Sequence, residues 1–250
     1  MDLNCDLGES EEPARIVADE VLLDIVTSAS IACTGHAGSA ESMSRTVRAA
    51  MVRGVAIGAH PSYPDRVNFG RVELDMSAAA IERSVAQQIA ALARVAGAEG
   101  ATITHVKPHG ALYHAAMTRP AVAEAIASAM CSIDPALMLV GLAGSTALAQ
   151  WRAAGLAVVA EAFADRRYEP DGSLTPRTRP GALLENDRDV AEQAVSLALG
   201  HTVVAAGGQR ISIDARTLCL HSDTPDAPML AAAVREALQR AGAAIRSPCR

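Results

Sequence analysis

The chain has 250 residues, half of them hydrophobic, which is enough for a large buried core. Its formal net charge is −6 and aromatic residues make up 2%, so the basic surface and stacking aromatics typical of nucleic-acid binding are missing. No apolar run approaches the roughly 18 residues of a membrane-spanning helix, and the acidic N-terminal segment is unlike a secretory signal. We therefore expect a cytoplasmic protein that binds neither nucleic acid nor membrane.

Short apolar segments alternate with longer segments of helical periodicity along the chain. Uninterrupted aliphatic and β-branched runs are typical of strands that are buried on both faces. The predicted strands are Asp2–Cys5, Ser28–Cys33, Val55–His60, Thr102–Lys107, Leu137–Leu142, Leu156–Glu161 and Thr217–His221.

Amphipathic helices are predicted between these strands. Ser77 and Gly97 bound Ala78–Ala96, as N-cap and as helix stop. The other predicted helices are Arg15–Thr27, Ala40–Arg53 after Ser39, Pro120–Met130, Thr146–Ala153, Asp187–Leu199 and a last one from about Asp226 to Gly242.

Two segments interrupt the alternation. His201–Ala205 and Arg210–Ile213 flank Gly207–Gly208, which predicts a β-hairpin. Asp165–Pro180 is polar and contains three prolines, which predicts a long loop, and loops of this length are often functional. The five cysteines, Cys249 among them, show no C-x-x-C spacing, so neither a disulfide framework nor a cysteine zinc site is expected.

The alternation predicts the fold class. Strand followed by helix, about seven times over, indicates parallel strands that are joined by crossovers. The length suits one α/β barrel, with an open doubly wound sheet as the alternative. We expect residues 1–250 to form a single domain.

Ionisable side chains gather where the predicted strands end. In parallel α/β folds these ends converge on one rim, where active sites are built. The sequence therefore predicts one shared pocket, although each side chain taken alone could be a structural hydrogen-bonding group. The residues are Asp6, Glu9, His36, His60, Lys107, His109, Glu161, Asp165, His221 and Asp223.

Several of these residues have specific candidate roles. Lys107 could hold a substrate carboxylate or an oxyanion, or form an ion pair with a rim carboxylate. Backbone N–H groups at Gly144 and Ser145 could bind an anion before the next helix, or form an ordinary turn. A metal site on separate strands would have Asp6, His60 and His221 as its candidate ligands. His105 is predicted to be structural, and His114 and His201 to be surface or helix residues.

The strand-end segments also carry a resemblance to a known family. They read DLNCDLGES at Asp2–Ser10, IGAHPSY at Ile57–Tyr63, FGR at Phe69–Arg71, VKPHGALY at Val106–Tyr113, GLAGS at Gly141–Ser145, EAFADRRYEPDGSLTP at Glu161–Pro176 and HSDTP at His221–Pro225. In these segments, in order along nearly the whole chain, the sequence resembles the LamB/YcsF lactam-utilisation family. The resemblance implies a distorted seven-stranded (β/α) TIM-like barrel related to the polysaccharide deacetylases.

The resemblance also implies a reaction. It is the cleavage of 5-oxoproline to glutamate, with ATP as co-substrate, together with two partner subunits, B and C, of a 5-oxoprolinase. No G-x-x-x-x-G-K-[ST] motif is present, so ATP would be held by other loops or by a partner, and a divalent metal could accompany it.

Ring opening of this kind needs a base for water, an acid for the leaving nitrogen and cations for negative charge. The candidates for the base or a metal ligand are Asp6, Glu9 and Asp223. The candidate acid–base groups are His36, His60, His109 and His221. The candidate anion stabilisers are Lys107 and Arg166. Glu161 joins the catalytic candidates, and Arg71 and Asp165 join Glu9, Arg166, Gly144 and Ser145 as substrate or phosphate binders.

The sequence departs from the family pattern beside the predicted pocket. The departures are Ser30 for asparagine, Thr34–Gly35 for Gly-Phe, Ser39 for aspartate, Val72 for arginine and Ser222 for glycine. These departures leave open a diverged paralogue that acts on another lactam or has little activity. Two further alternatives stay open: a metal-dependent amide hydrolase or deacetylase that needs no ATP, and a non-catalytic lactam-binding paralogue.

Overall fold

The fold is taken from a computed structural model, in which residues 1–184, 186–224 and 226–248 are described. Pro225 of the HSDTP segment and Cys249 lie outside these ranges. The strands are β1 (Asp2–Leu7), β2 (Ser28–Ala32), β3 (Ala56–His60), β4 (His105–Val106), β5 (Met138–Leu142), β6 (Val158–Phe163), β7 (Thr202–Val204), β8 (Arg210–Ser212) and β9 (Thr217–Leu220).

Seven parallel strands close into a barrel in the order β1-β2-β3-β4-β5-β6-β9, and β9 pairs back onto β1. The strands β7 and β8 form a separate antiparallel hairpin. The predicted seven-stranded TIM-like barrel and the predicted hairpin are both confirmed.

Helices surround the barrel. Within the described ranges they are α1 (Pro13–Leu23), α2 (Ala40–Arg53), α3 (Ala78–Ala98), α4 (Gly110–Thr118), α5 (Pro120–Ile133), α6 (Thr146–Ala153), α7 (Asp187–Gly200) and α8 (Ala227–Arg240). None of these helices is long and apolar enough to cross a membrane. Ser39 and Ser77 cap α2 and α3 through their side chains, as predicted.

Several predicted helix boundaries were wrong, and one helix was not predicted. The helix α1 begins two residues earlier than predicted, at Pro13, since proline fits the first helical turn, and it ends at Leu23. The helix α3 continues through Gly97, and the left-handed glycine that follows it is Gly100, with φ of 82°. The helix α4 was not predicted, because the residue that precedes it, His109, is not of a type that favours the N-cap position, and it makes no side-chain capping hydrogen bond.

Strand boundaries also differ from the prediction. The strand β4 pairs regularly over two residues rather than the predicted six. The ring of His105 occupies the space beside Gly58 on β3, where a Cβ atom would lie 2.2 Å from His105 Nε2. The strands β1 and β6 run two residues further than predicted, to Leu7 and Phe163, so Asp6 lies within β1 rather than after it.

The interior of the barrel is polar, and β1 shows why. Its residues alternate, and the fully buried Leu3, Cys5 and Leu7 belong to the hydrophobic core. The alternate residues face the barrel axis. Near the amino ends of the strands, Asp2 accepts hydrogen bonds from Ser28 and Thr217. The barrel therefore holds a column of polar groups that leads up to its carboxyl end.

Candidate functional site

A cavity of about 470 Å³ opens at the carboxyl end of the barrel. This volume is typical of small-molecule sites. Nine of the residues that the sequence predicted for the site line it: Asp6, Glu9, His60, Arg71, Lys107, His109, Arg166, His221 and Asp223.

Lys107 occupies the base of the cavity. Its Nζ lies 2.8 Å from Glu161 Oε1 and 3.0 Å from Asp6 Oδ1, and it donates to Asn4 Oδ1 at 3.0 Å. Burial alone would lower the pKa of Lys107, but the surrounding acids, Asp6 foremost, hold it well above its usual range. The ammonium group therefore stays charged, and it also donates to Cys219 Sγ at 3.1 Å.

Asp6 connects Lys107 to the wall of the cavity. Its Oδ2 lies 3.3 Å from His60 Nε2, on the side opposite its contact with Lys107. Burial would raise the pKa of Asp6, but His60 and Lys107 outweigh that effect and hold it well below its usual range. Asp6 is therefore a carboxylate at neutral pH and faces the cavity as an anion.

Glu9, His36, His60 and His109 form the imidazole cluster. Glu9 Oε1 lies 2.9 Å from His36 Nε2, 3.5 Å from His109 Nδ1 and 4.0 Å from His60 Nε2. The rings of His36 and His109 stack at 3.7 Å. Burial lowers the pKa of His36 to about 2 and that of His109 to about 3, so both rings are neutral at pH 7.

The imidazole cluster is the group of side chains in the described ranges whose atoms could hold a metal ion. The set predicted from sequence was different, with Asp6, His60 and His221. Of those three residues, His60 belongs to the cluster, Asp6 lies beside it, and the ring of His221 is hydrogen-bonded to Asp165 instead.

His221 and Asp165 form a pair on another part of the wall. Asp165 is 1% exposed and accepts hydrogen bonds from His221 Nδ1 at 2.9 Å and from its backbone N–H at 3.1 Å. The ring also stacks on Phe163, with centroids 5.3 Å apart. The pair fixes the orientation of the imidazole, and no described residue hydrogen-bonds its Nε2.

Three arginines make part of the cavity positively charged. Arg71 and Arg177 both contact the Asp223 carboxylate, Arg177 at 3.3 Å. Burial would raise the pKa of Asp223, but Arg177 and its neighbours lower it to about 2. Arg166 donates to Thr175 O at 2.6 Å, while its buried Nε has no hydrogen-bond partner. This cationic wall can bind an anionic ligand group.

Five predicted site residues do not line the cavity. His36, Glu161 and Asp165 lie behind His109, Lys107 and His221 and hold them in place. Gly144 and Ser145 begin α6 away from the cavity, where Ser145 Oγ accepts from the Leu148 N–H, so the ordinary-turn alternative describes them.

Sequence reasoning missed three residues of the site. Arg177 lies within the long loop, directly after the family-resembling segment Glu161–Pro176, and lines the cavity. Tyr113 donates to Glu161 Oε2 at 2.9 Å, and Asn4 Nδ2 donates to Glu161 Oε1 at 3.1 Å. Tyr113 and Asn4 both lie within segments that resemble the family, which was the signal available for them.

The departures from the family pattern mostly lie outside the cavity. Ser222 lines it, whereas Ser39 caps α2 and Val72 is exposed to solvent. Ser30 is fully buried in β2, and its Oγ has no hydrogen-bond partner. The expectation that all of them border the pocket was wrong.

Comparisons with known proteins agree with the resemblance. The profile of the LamB/YcsF family matches residues 1–250. The chain is 51% identical over 242 residues to the A subunit of 5-oxoprolinase from Methylococcus capsulatus (strain ATCC 33009 / NCIMB 11132 / Bath), covering 97% of this chain and 93% of the relative. It is 48% identical over 248 residues to the protein of the same name from Chloroflexus aggregans (strain MD-66 / DSM 9485), covering 99% and 98%.

A solved structure shows the same likeness in three dimensions. The lactam utilization protein from Thermus thermophilus matches with a TM-score of 0.92 and 42% identity, over 100% of this chain and 99% of that one. Sequence and fold thus agree from end to end, and the chain belongs to the LamB/YcsF family.

Proposed function

We propose that this protein is the lactam-opening subunit of a cytoplasmic 5-oxoprolinase, which cleaves 5-oxo-L-proline to L-glutamate coupled to ATP hydrolysis. One observation carries the proposal: a single cavity is lined by a cationic wall and by carboxylate and imidazole groups. A five-membered lactam that bears a carboxylate needs both features, one to bind its anion and the other to move protons. The names of the relatives supply the substrate class.

The geometry suggests a division of roles. Arg166 and Arg177 bind the substrate carboxylate, because they line the cavity and Arg166 Nε lacks a partner. The His221–Asp165 pair donates a proton to the leaving ring nitrogen, since Asp165 stabilises the protonated imidazole. Asp6 and Glu9 are the candidate bases for water. Lys107 is a positioning residue that holds Asp6 as an anion.

ATP coupling follows from the weak electrophilicity of the amide carbon. Phosphorylation of the lactam oxygen converts it into a leaving group, after which water attacks a more reactive carbon. The chain lacks a P-loop motif, so we propose that the two partners, B and C, supply the nucleotide site.

The test is reconstitution of the purified protein with both partner subunits. Glutamate release from 5-oxoproline is measured with ATP, without ATP and with a non-hydrolysable ATP analogue. Release that requires ATP supports the proposal. If 5-oxoproline binds but no glutamate forms in the complete mixture with ATP, the enzymatic assignment is wrong and the lactam-binding alternative replaces it.

The imidazole cluster favours a second candidate, a metal-dependent amide hydrolase that needs no ATP. The same assay separates the two functions. ATP-independent release of product by this chain alone, in the presence of a divalent metal, would select the second.

A further inference from the structure

Four potential ligand atoms come from four separate segments of the chain and converge on one point. They are Glu9 Oε1, His36 Nε2, His60 Nε2 and His109 Nδ1, and they lie within 4.8 Å of one another. We propose that these four residues bind one divalent transition-metal cation, with Zn²⁺ as the best match. Three imidazole nitrogens and one carboxylate oxygen are a typical ligand set for zinc.

The tautomers of two histidines carry the argument. His60 Nδ1 lies 2.7 Å from Lys107 O, and His109 Nε2 lies 2.9 Å from Phe69 O. A carbonyl oxygen can only accept, so both of these ring nitrogens must carry protons. When each ring carries only that one proton, the opposite nitrogens, His60 Nε2 and His109 Nδ1, bear lone pairs, and these two atoms are 3.0 Å apart.

Two lone pairs at that distance repel each other unless a positive charge lies near both. Carboxylate oxygens surround the same point, with Glu9 Oε1 at 3.5 Å from His109 Nδ1 and Asp6 Oδ2 at 3.3 Å from His60 Nε2. A bound cation satisfies the lone pairs and the carboxylates together. The metal-free alternative is a proton on His60 Nε2 that is donated to His109.

The surroundings hold these rings in place, as a binding site requires. Metal-binding histidines commonly donate their second N–H to a backbone carbonyl, which is the arrangement of His60 and His109. Phe69 packs edge-on against His36 and His109. Gly70 has φ of 63°, and a Cβ atom there would lie 2.9 Å from His36 Cβ, so this turn closes tightly over the rings.

The four ligands are not equivalent. Glu9, His60 and His109 line the cavity, whereas His36 lies behind them. His36 Nδ1 is buried without a hydrogen-bond partner, so hydrogen bonds constrain this ring less than the rings of His60 and His109. A cation held here is therefore accessible from the cavity, where it would act as a Lewis acid toward a carbonyl oxygen.

The test measures metal content, so its failure is distinguishable from failure of the lactam reaction. Untagged protein is stripped with a chelator, dialysed against Zn²⁺ and analysed by elemental mass spectrometry, and its affinity is measured by competition with a chromogenic chelator. The variants are His60→Ala, His109→Ala and the near-isosteric Glu9→Gln. The controls are His114→Ala, at the exposed edge of the same cavity, and His201→Ala, on the surface.

We expect about one equivalent of zinc in the wild type and in both controls, and an affinity loss of at least about 100-fold in His60→Ala and His109→Ala, since altering outer-shell partners alone costs about 10–100-fold. Glu9→Gln, which preserves the packing, should also bind more weakly. Binding of less than about 0.1 equivalent by the wild type at saturating zinc, or equal affinity in the variants and controls, would overturn the proposal and favour the bridging proton.

Discussion

Two groups of side chains line the cavity, and they differ in charge. The imidazole cluster consists of the Glu9 carboxylate and three rings, of which those of His36 and His109 are neutral. The cationic wall sets Arg71, Arg166 and Arg177 against the single carboxylate of Asp223. The first group is suited to a cation and the second to an anion.

This difference shows how one small cavity can present a cation-binding group and an anion-binding group of side chains at the same time. Lys107 pairs with Asp6, which lies beside His60 of the imidazole cluster, and with the buried Glu161. Burial keeps solvent from screening these contacts. The difference in charge between the imidazole cluster and the cationic wall therefore depends on the buried ion pairs as much as on the residues that a ligand would touch.

The largest effect is expected when this central pairing is broken. Lys107→Met leaves the fully buried Glu161 and the neighbouring Asp6 without their cation. Removing one partner of a buried pair costs about 3–5 kcal/mol, so urea unfolding should show a loss of that size. The double variant Lys107→Met/Glu161→Gln should recover part of it.

The control for this experiment is Arg48→Met, which removes an exposed ion pair with Glu99. That change should cost less than about 1 kcal/mol. A similarly small loss of unfolding free energy in Lys107→Met would mean that the ion pairs of Lys107 do not stabilise the imidazole cluster and the cationic wall.

The next effect concerns proton transfer from His221. Asp165→Asn removes the anion that stabilises the protonated ring, so we expect kcat for glutamate release to fall about 100-fold or more, with KM nearly unchanged. Asp171→Asn, an exposed change in the same loop, is the matched control. A kcat within about twofold of the wild type would remove His221 from the acid role.

The cationic wall is tested by Arg177→Ala. Losing a charge-assisted hydrogen bond costs about 1.5–3 kcal/mol, so KM for the lactam should rise about 10–100-fold. Arg179→Ala, two residues away and outside the cavity, should leave KM unchanged. Zinc content should be the same in both variants. A loss of zinc in Arg177→Ala would show that the imidazole cluster and the cationic wall are not independent.

The smallest effect is a pH dependence of stability beside the imidazole cluster. Asp19 accepts a hydrogen bond from Gly8 N–H, next to Glu9, and burial raises the pKa of Asp19 to about 6. The folded protein therefore keeps this proton to a higher pH than the unfolded chain. The stability that Asp19 contributes is present below about pH 4 and is lost as the pH rises to about 6.

Asp19→Asn keeps an acceptor for Gly8 and removes the charge. At pH 7.5 it should be more stable than the wild type by about 1–2 kcal/mol, after allowance for partial exposure, and the difference should disappear near pH 4. Urea unfolding at both pH values measures this, with the exposed Glu20→Gln as control. A difference that does not change with pH would contradict the assignment to Asp19.

Much of the architecture follows from local patterns. The alternation of apolar strands and amphipathic helices predicted a parallel barrel, and the helices bounded by Ser39 and Ser77 begin where their caps indicate. Strand-end polarity brought seven predicted residues to one cavity, because parallel strands present the same end to one rim. These signals lie within single segments, so the amino-acid order alone carries them.

The detailed arrangement of the site required the closed barrel. Glu161 and Asp165 were placed on the rim by position, but in the closed barrel they contact Lys107 and His221 and do not line the cavity. The stacking of His36 on His109 depends on the turn at Gly70, which the sequence does not connect to either ring. Which donor atoms meet is a matter of ångströms between distant segments, and only packing fixes distances of that kind.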